Sequence, residues 1–411
     1  MSAEERYKKG VSIVMPCLNE ERTIGICIDK AQGFMKSHNM PGEVIIADNG
    51  SSDNSIKIAT EKGARVVRIS EKGYGAALRG GIDAAEFEYV VMGDADDSYD
   101  FSHLEQFIEK LDEGYFEALI RIWILDNPHG ALLVWETYFF GGGGIEKGAM
   151  PFSHQYIGNP VLSGLGRLFF KTQIKDFHCG LRAFRRDIVE KLNLCTTGME
   201  FASEMVVKSV LMDLKITEVP CKLYRDGRDR PPHLRSIPDG LRHLEFLLLY
   251  SPKWLFAYPG IILLLCGLFF TVFIYVQPLV IGRVQFEVTS MLYSALAMII
   301  GLQLLQFATF SSVFSEALGQ YPKSSGLAHK VCKLLKVAGY KAACLIIVIG
   351  IIGVIATLVV WGEAGFGQLH TTWVCKTAIL FGSLLAIGIE ILVFTLFSRI
   401  LQMRGGLFDE K

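Results

Sequence analysis

The sequence predicts an α/β domain on a parallel sheet, followed by a helix lying on a membrane surface and four membrane-spanning helices. Three observations carry this. Short apolar strands alternate with helical stretches through the first part of the chain, the pattern of βαβ units. Residues 1–250 read as soluble sequence, whereas 255–400 are dominated by long apolar runs. A basic, proline-broken stretch stands between them. The 411 residues are too many for one ordinary domain, and the 51% hydrophobic content is unusual for a soluble enzyme. The net charge of −1 excludes little, because the local distribution of charge carries the information. The expected boundaries are 1–228, 229–253 and 254–411.

The first strand is Val11 to Met15, followed by the turn Pro16-Cys17-Leu18-Asn19-Glu20-Glu21 and a helix. A second strand, Glu43 to Ala47, ends at Asp48 and opens into Asn49-Gly50-Ser51-Ser52-Asp53-Asn54-Ser55. Strand 65–69, helix 74–86 and strand 89–92 complete the run. Ligands of such sheets bind at the carboxyl ends of the strands. Three of these ends carry polar groups here: Asn19-Glu20, Asp48 and Asp94-Ala95-Asp96.

The third end is the most informative. Tyr89-Val90-Val91-Met92-Gly93 runs directly into Asp94-Ala95-Asp96-Asp97, and alternation points Asp94 and Asp96 the same way. Their repulsion must be offset by a cation or by hydrogen bonds. A hard divalent ion, Mg²⁺ or Mn²⁺, suits an oxygen site that also receives a diphosphate. The alternative is a helix N-cap cluster, with Asp97, Ser98 or Asp100 opening a helix over 102–112.

Four apolar stretches, near 255–280, 291–316, 342–361 and 374–399, each reach the ~20 residues needed to cross a bilayer. The connection between the second and third carries Lys323, Lys330, Lys333, Lys336 and Lys341, and Arg399 and Arg404 follow the fourth. The other two connections hold only Arg283 as a basic residue. The positive-inside rule therefore puts the N-terminal domain and the C-terminus in the cytoplasm. The fourth stretch contains Lys376 near one end and Glu390 well inside, which read as packed or snorkelling polar residues. Ahead of the first stretch, 239–250 forms a short helix with Leu241, Leu244, Leu248 and Leu249 available to one side. Arg228, Arg230, Arg235 and Arg242 would lie near the headgroups, attracted to anionic lipid or holding a lipid phosphate. The charged start MSAEERYKKG is not a secretory signal, and nine cysteines without a CxxC pair argue against zinc and for a reducing compartment.

The strings VSIVMPCLNEERTIG, IIADNGSSDNS, EKGYGAALRGGI and VMGDADDSYDF resemble family 2 glycosyltransferases with the GT-A nucleotide-diphospho-sugar fold. GGIEKGAMPFSHQYIGNPVLSG, IKDFHCGLRAFRRDI, TTGMEFASEMVVK and YRDGRDRPPHLRSIPDGLRHL resemble its dolichyl-phosphate mannose synthase and polyprenyl-phosphate glucosyltransferase branch. The resemblance implies that Pro16, Leu18, Asn19 and Glu20 belong to a nucleoside pocket, with Asp48 beside base and ribose and Ser51 as a further contact. Lys72, Gly75 and Ala76 would line the donor cleft. Asp94 and Asp96 take the diphosphate and metal role, so Mg²⁺ or Mn²⁺ is the implied cofactor. Asp176 resembles the acidic residue near the reacting centre, followed by Arg182, Arg185 and Arg186, some of which would only pair with surface carboxylates. His154 and Asn159 fall where the family places acceptor-phosphate contacts.

The implied reaction is inverting transfer of a hexose from a nucleotide sugar to polyprenyl or dolichyl phosphate. A lipid monophosphate, with its second pKa of ~6, is already largely ionised near neutral pH and needs little help from a base. Neutralising the diphosphate and holding two anions together are the larger tasks, the first falling to the metal held by Asp94 and Asp96 and the second to Arg182, Arg228 and Arg235. Asp176 then orients or binds the sugar. Residues 119–142 do not fit the family, which has a short strand there ending in an arginine segment. A processive polysaccharide synthase would carry Gln-x-x-Arg-Trp, absent here, and an idle lipid-phosphate or nucleotide scaffold is the other alternative. TTGMEFASEM and PPHLRS resemble the glucosyl branch, so UDP-glucose leads and GDP-mannose follows. A homo-oligomer is left open, and no nucleic-acid partner is expected.

Overall fold

The computed structural model describes residues 8–115, 117–121, 144–228, 236–317, 338–367 and 372–405. Arg230, Arg235, the segment 122–143 and the lysines at 323, 330, 333 and 336 lie outside the described residues. The chain divides into two compact units between Tyr250 and Ser251.

The first unit is built on a seven-stranded sheet. β1 (Lys8–Cys17), β2 (Gly42–Asp48), β3 (Arg65–Arg68) and β4 (Phe87–Met92) alternate with α1 (Ile24–Ser37), α2 (Ser55–Glu61) and α3 (Tyr74–Asp83). These four strands pair in parallel, in the spatial order β3-β2-β1-β4, as the alternation predicts. Ile13, Val14, Met15, Ile45, Ile46, Val90 and Val91 are fully buried or nearly so. Continuous apolar runs of this kind mark strands covered by helices on both faces. α4 (Glu105–Asp112) follows β4, and Asp100 accepts the Ser102 amide at 3.0 Å in the turn before it.

The rest of the sheet corrects the purely parallel expectation. β5 (Glu117–Arg121), β6 (Arg182–Arg185) and β7 (Ile216–Pro220) extend it in the order β4-β6-β5-β7, and β6 is antiparallel to both β4 and β5. The cause is local: the loop before β6 lies against the carboxyl end of β4, where a Cβ on Gly180 would meet Asp94 Oδ2 at 2.7 Å. A strand that starts at that edge runs the opposite way. β5 is the strand the family resemblance requires near 119, so it is retained.

α5 (Asn159–Phe170), entered through a π turn at His154–Gly158, packs with α7 (Phe201–Leu211) and α8 (Ser236–Leu249), and α6 (Arg186–Leu192) follows β6. α8 takes the place of the short helix expected over 239–250. It buries Phe246 and Leu247 in a cluster with Phe177, Val206 and Val207, and leaves Ile237, Leu241 and Leu249 exposed.

Among the described residues the second unit holds four helices long and apolar enough to cross a membrane, spanning Lys253–Val276, Val288–Ser315, Tyr340–Glu363 and Thr372–Arg399. Within them lie α9 (Tyr258–Val276), α10 (Val288–Ala317), α11 (Tyr340–Glu363) and α12 (Thr372–Gly405). A two-stranded hairpin, β8 (Leu279–Ile281) and β9 (Val284–Phe286), joins α9 to α10. Glycines bring paired helices together: a Cβ on Gly267 would meet Ser294 O at 2.6 Å, and one on Gly350 would meet the Leu385 amide nitrogen at 2.8 Å. Glu390 and Lys376 of the fourth span each have a polar partner. Gln303 donates to Glu390 at 2.8 Å, and Lys376 lies 3.7 Å from Glu287.

Candidate active site

The carboxyl ends of β1, β2 and β4 gather one set of polar loops. Asn19 sits in the left-handed region, at φ 60°, which turns the chain sharply after β1. Its amide donates to Ser51 Oγ at 3.0 Å, and its side-chain oxygen accepts the Ser52 amide at 2.7 Å. The Glu20 amide donates to Ser55 Oγ at 2.8 Å. Asp48 is buried and accepts the amides of Gly50 and Ser51 at 3.2 and 2.9 Å, an Asx turn that closes the loop after β2. Pro16 pairs with Ala47 at the end of β1, beside half-buried Leu18. The first two predicted polar ends are thus laced into one surface.

The next loop closes against it. Lys72 Nζ donates to the Asn49 carbonyl at 2.6 Å, and the Gly73 amide donates to Asn49 Oδ1 at 2.9 Å. Gly75 and Ala76 open α3 directly under residues 196–198. The Ala76 amide donates to Thr197 O at 3.2 Å, and a Cβ on Gly75 would meet Thr196 O at 2.6 Å. Only glycine permits that approach.

Asp94 and Asp96 follow β4 and have different partners. Asp94 accepts from the Tyr74 hydroxyl at 2.9 Å. Burial raises its pKa against the opposing pull of Tyr74 and Arg228. Asp96 is buried, accepts the Ser98 amide and hydroxyl at 3.0 and 2.6 Å, and is hydrogen-bonded by Arg228 Nη2. Arg228 Nε also lies 3.7 Å from Glu20 and 3.8 Å from Asp226. Sequence reasoning placed Arg228 with an acceptor phosphate; here it lies against the two strand-end carboxylates. The strap carrying it runs along the loop after β4, with Tyr224 and Gly227 amides donating to Ser98 O and Asp96 O, both at 2.9 Å. A guanidinium held by Asp96 and Glu20 shows that these oxygens are disposed to hold a cation, so the residues fit a divalent ion. Among the described residues no three His, Cys, Asp or Glu side chains are preassembled as a metal site. An ion there would draw its remaining ligands from a diphosphate or water. Asp97, one of the N-cap candidates, instead pairs with Lys30 at 2.7 Å.

Asp176 stands in the loop that backs onto Asp94. It is buried, its carboxylate accepts the His178 amide at 2.9 Å, and its own amide donates to Glu218 at 3.1 Å. Burial pushes its pKa up to about 6. Arg182 is fully buried, donating to the carbonyls of Cys179 and Phe177 at 2.9 and 3.0 Å. Its N–H groups are taken up by these carbonyls, so in this conformation Arg182 holds the loop. Arg185 pairs with Asp187 and Glu88, and Arg186 with Glu190, as the surface-pairing alternative anticipated. Asn159 contacts the Met150 sulfur at 3.7 Å, and the Nε2 of His154 is buried without a hydrogen-bond partner among the described residues.

Several residues escaped sequence reasoning. Tyr74, within the quoted EKGYG string, reaches Asp94 across the sheet edge. Glu200, in TTGMEF, accepts the Gly198 amide at 3.3 Å. Glu204 and Lys208 form a buried pair at 2.6 Å, and Glu204 also accepts the Thr196 amide at 2.9 Å, fixing the segment over Gly75.

A mixed sheet that gathers polar loops and two aspartates at the carboxyl ends of its parallel strands has the architecture of the GT-A class. Residues 12–192 match the glycosyl transferase family 2 model, and 329–402 match the family 2 C-terminal transmembrane region. A low-salt glycan biosynthesis hexosyltransferase, Agl6, of Haloferax volcanii is 34% identical over 77% of this chain and 71% of its own length. The dolichyl-phosphate hexose transferase of the same organism is 27% identical over 53% of this chain and 83% of its own. An undecaprenyl-phosphate 4-deoxy-4-formamido-L-arabinose transferase of Yersinia enterocolitica is 25% identical over 69% and 80%. The chain belongs to glycosyltransferase family 2 and is a membrane glycosyltransferase.

Proposed function

We propose that the chain transfers glucose from UDP-glucose to the phosphate of a polyprenyl lipid, on the cytoplasmic side of the membrane and with inversion at the anomeric carbon. The observation that carries this reading is the carboxylate set Glu20, Asp94 and Asp96, already countered by a cationic group, at the edge where the β1 and β2 loops form one polar surface. Its lipid acceptor is supported by the two relatives whose names specify dolichyl or undecaprenyl phosphate. Pro16, Leu18, Asn19, Glu20, Asp48 and Ser51 receive the nucleoside, and Lys72, Gly75 and Ala76 border the diphosphate. Asp94 and Asp96 would hold Mg²⁺ or Mn²⁺, which when bound offsets the charge of the departing nucleoside diphosphate.

The lipid phosphate oxygen attacks the anomeric carbon opposite the diphosphate. The new C–O bond forms as the bond to the diphosphate breaks, and no proton transfer is required of the protein. Asp176, partly protonated near neutral pH, orients a sugar hydroxyl. Arg182 acts as a positioning residue through the loop that carries Asp176 and His178. Transfer of label from UDP-glucose, and in parallel GDP-mannose, to short-chain polyprenyl phosphate tests this with Mg²⁺ or Mn²⁺ present. Lipid-linked label from UDP-glucose, lost in Asp96→Ala, is expected. Label from GDP-mannose alone would replace the donor, and no label from either, with nucleotide still bound, would mark an idle scaffold.

A further inference from the structure

The loop between Asp176 and Gly180 is fixed along its whole length. Asp176 accepts the His178 amide, Arg182 holds the carbonyls of Phe177 and Cys179, and the Gly180 amide donates to the Tyr99 hydroxyl at 3.0 Å. The His178 ring therefore has little freedom. Behind it stands His243 of α8, edge to face at 4.6 Å between centroids. The fully buried Ser203 hydroxyl of α7 lies 3.0 Å from His243 Nδ1 and 3.4 Å from His178 Nδ1.

One hydroxyl carries one proton, so it donates to one ring and accepts from the other. The two imidazoles consequently hold opposite tautomers. Both are neutral near pH 7: burial lowers each pKa, and the nearby His243 lowers His178 further. In one sense of the relay, His243 Nδ1–H donates to Ser203 and the Ser203 proton goes to His178 Nδ1. His178 then presents Nε2–H. Among the described residues that Nε2 is out of solvent contact and has no hydrogen-bond partner, and the same holds for the Nε2 of His154 on the neighbouring π turn. Buried polar nitrogens without partners are costly and uncommon, and π turns recur at functional sites. Beside the histidines, Ile157 and Val161 of the π turn and α5, and Ile237 and Leu241 of α8, are exposed one turn apart on helices that pack together. They offer apolar surface to a long hydrocarbon chain.

We infer that His178 is a binding residue for the acceptor, donating Nε2–H to an oxygen of the lipid phosphate, with Ser203 and His243 setting its tautomer. The inference rests on the reading of the acceptor as a polyprenyl phosphate. His154 supplies a second ring nitrogen, and the isoprenoid chain lies on the apolar residues of α5 and α8.

The test measures KM for short-chain polyprenyl phosphate and for the nucleotide sugar separately, on the full-length protein in detergent. His178→Ala is expected to raise the lipid KM tenfold to a hundredfold, the scale of one hydrogen bond to a charged oxygen, with the donor KM within twofold. His178→Gln, which keeps a donor at a similar reach, is expected to recover most of it, whereas His178→Phe does not. Ser203→Ala is expected to raise the lipid KM severalfold, and ¹⁵N NMR of the imidazoles should show the Nε2–H tautomer of His178 in the wild type and its loss in that variant. A lipid KM unchanged in His178→Ala, a shift in the donor KM instead, or a His178 ring protonated at Nδ1 alone would overturn the inference. If the wild type transfers no sugar to the lipid, it is the functional reading that fails. If His178→Ala does not fold, the Gln, Phe and Ser203 variants carry the same comparison.

Discussion

Replacing Arg228 by alanine should tighten the binding of Mn²⁺ in the absence of nucleotide. The guanidinium lies against Asp96 and within 3.7 Å of Glu20, and the Asp96 side chain is only 8% exposed. Two unit charges about 4 Å apart interact by about 4 kcal/mol at an effective dielectric of about 20. A divalent ion that uses Asp96 must first overcome this pairing. Part of that energy is recovered when the displaced arginine finds water, so the net gain on removing it is about 1.4–2.8 kcal/mol, or tenfold to a hundredfold in Kd. The same deletion leaves the carboxylates uncompensated, which costs about 3–5 kcal/mol in a buried pair. Without metal the variant should therefore melt earlier than the wild type, and added Mn²⁺ should raise its Tm by more. Free Mn²⁺ measured by EPR gives the affinity, and thermal denaturation in detergent gives the linkage. Arg228→Lys, which keeps the charge, should stay within threefold of the wild type. An alanine variant with unchanged or weaker Mn²⁺ affinity would refute the idea that the arginine and the ion share Asp96.

Asp176, with a pKa of about 6 against an ordinary 3.8, holds its proton more firmly in the fold than in the unfolded chain. Its contribution favours folding below about pH 4 and is lost as pH rises through about 6. Asp176→Asn should flatten this slope and raise stability near pH 7.5 by up to about 3 kcal/mol, read from denaturation at several pH values, while lowering transfer activity. Gly180→Ala places a Cβ 2.7 Å from Asp94 Oδ2, so kcat should fall at least tenfold in a protein that still folds, checked by circular dichroism beside the transfer assay. Lys208→Met leaves Glu204 without its ion-pair partner at 2.6 Å and should cost about 3–5 kcal/mol, whereas adding Glu204→Gln should restore much of it in the same melts.

The parts of the fold that the sequence made legible are those with local causes. β1, β2 and β4 are runs of buried aliphatic residues, and their polar ends could be read directly from Asn19-Glu20, Asp48 and Asp94-Ala95-Asp96. The four apolar spans were placed to within a few residues because their length and composition suffice. What was missed depends on contacts remote in the chain. The reversal of β6 follows from where the Asp176 loop lands on the sheet, which strand periodicity does not encode. Arg228 meets Asp96 across 132 positions, and its place in a basic stretch pointed to lipid instead. Arg182 carries the same lesson: an arginine in a catalytic string can be buried against carbonyls and support the loop. His178, Ser203 and His243 come from three separate segments, and no spacing rule joins them.

The glycine seams of the second unit bear on how such proteins diversify. α9 packs most closely on α10 and α11 on α12, each pair joined through small residues, and the family's C-terminal transmembrane model covers the second pair. The helical hairpin, not the single span, is then the natural unit of gain or loss. A hairpin with its own seam brings its main packing partner with it. Because it crosses twice, adding or deleting one leaves the sidedness of everything before it unchanged. A catalytic domain fixed to one face could thus acquire anchors of different size without having to be turned over.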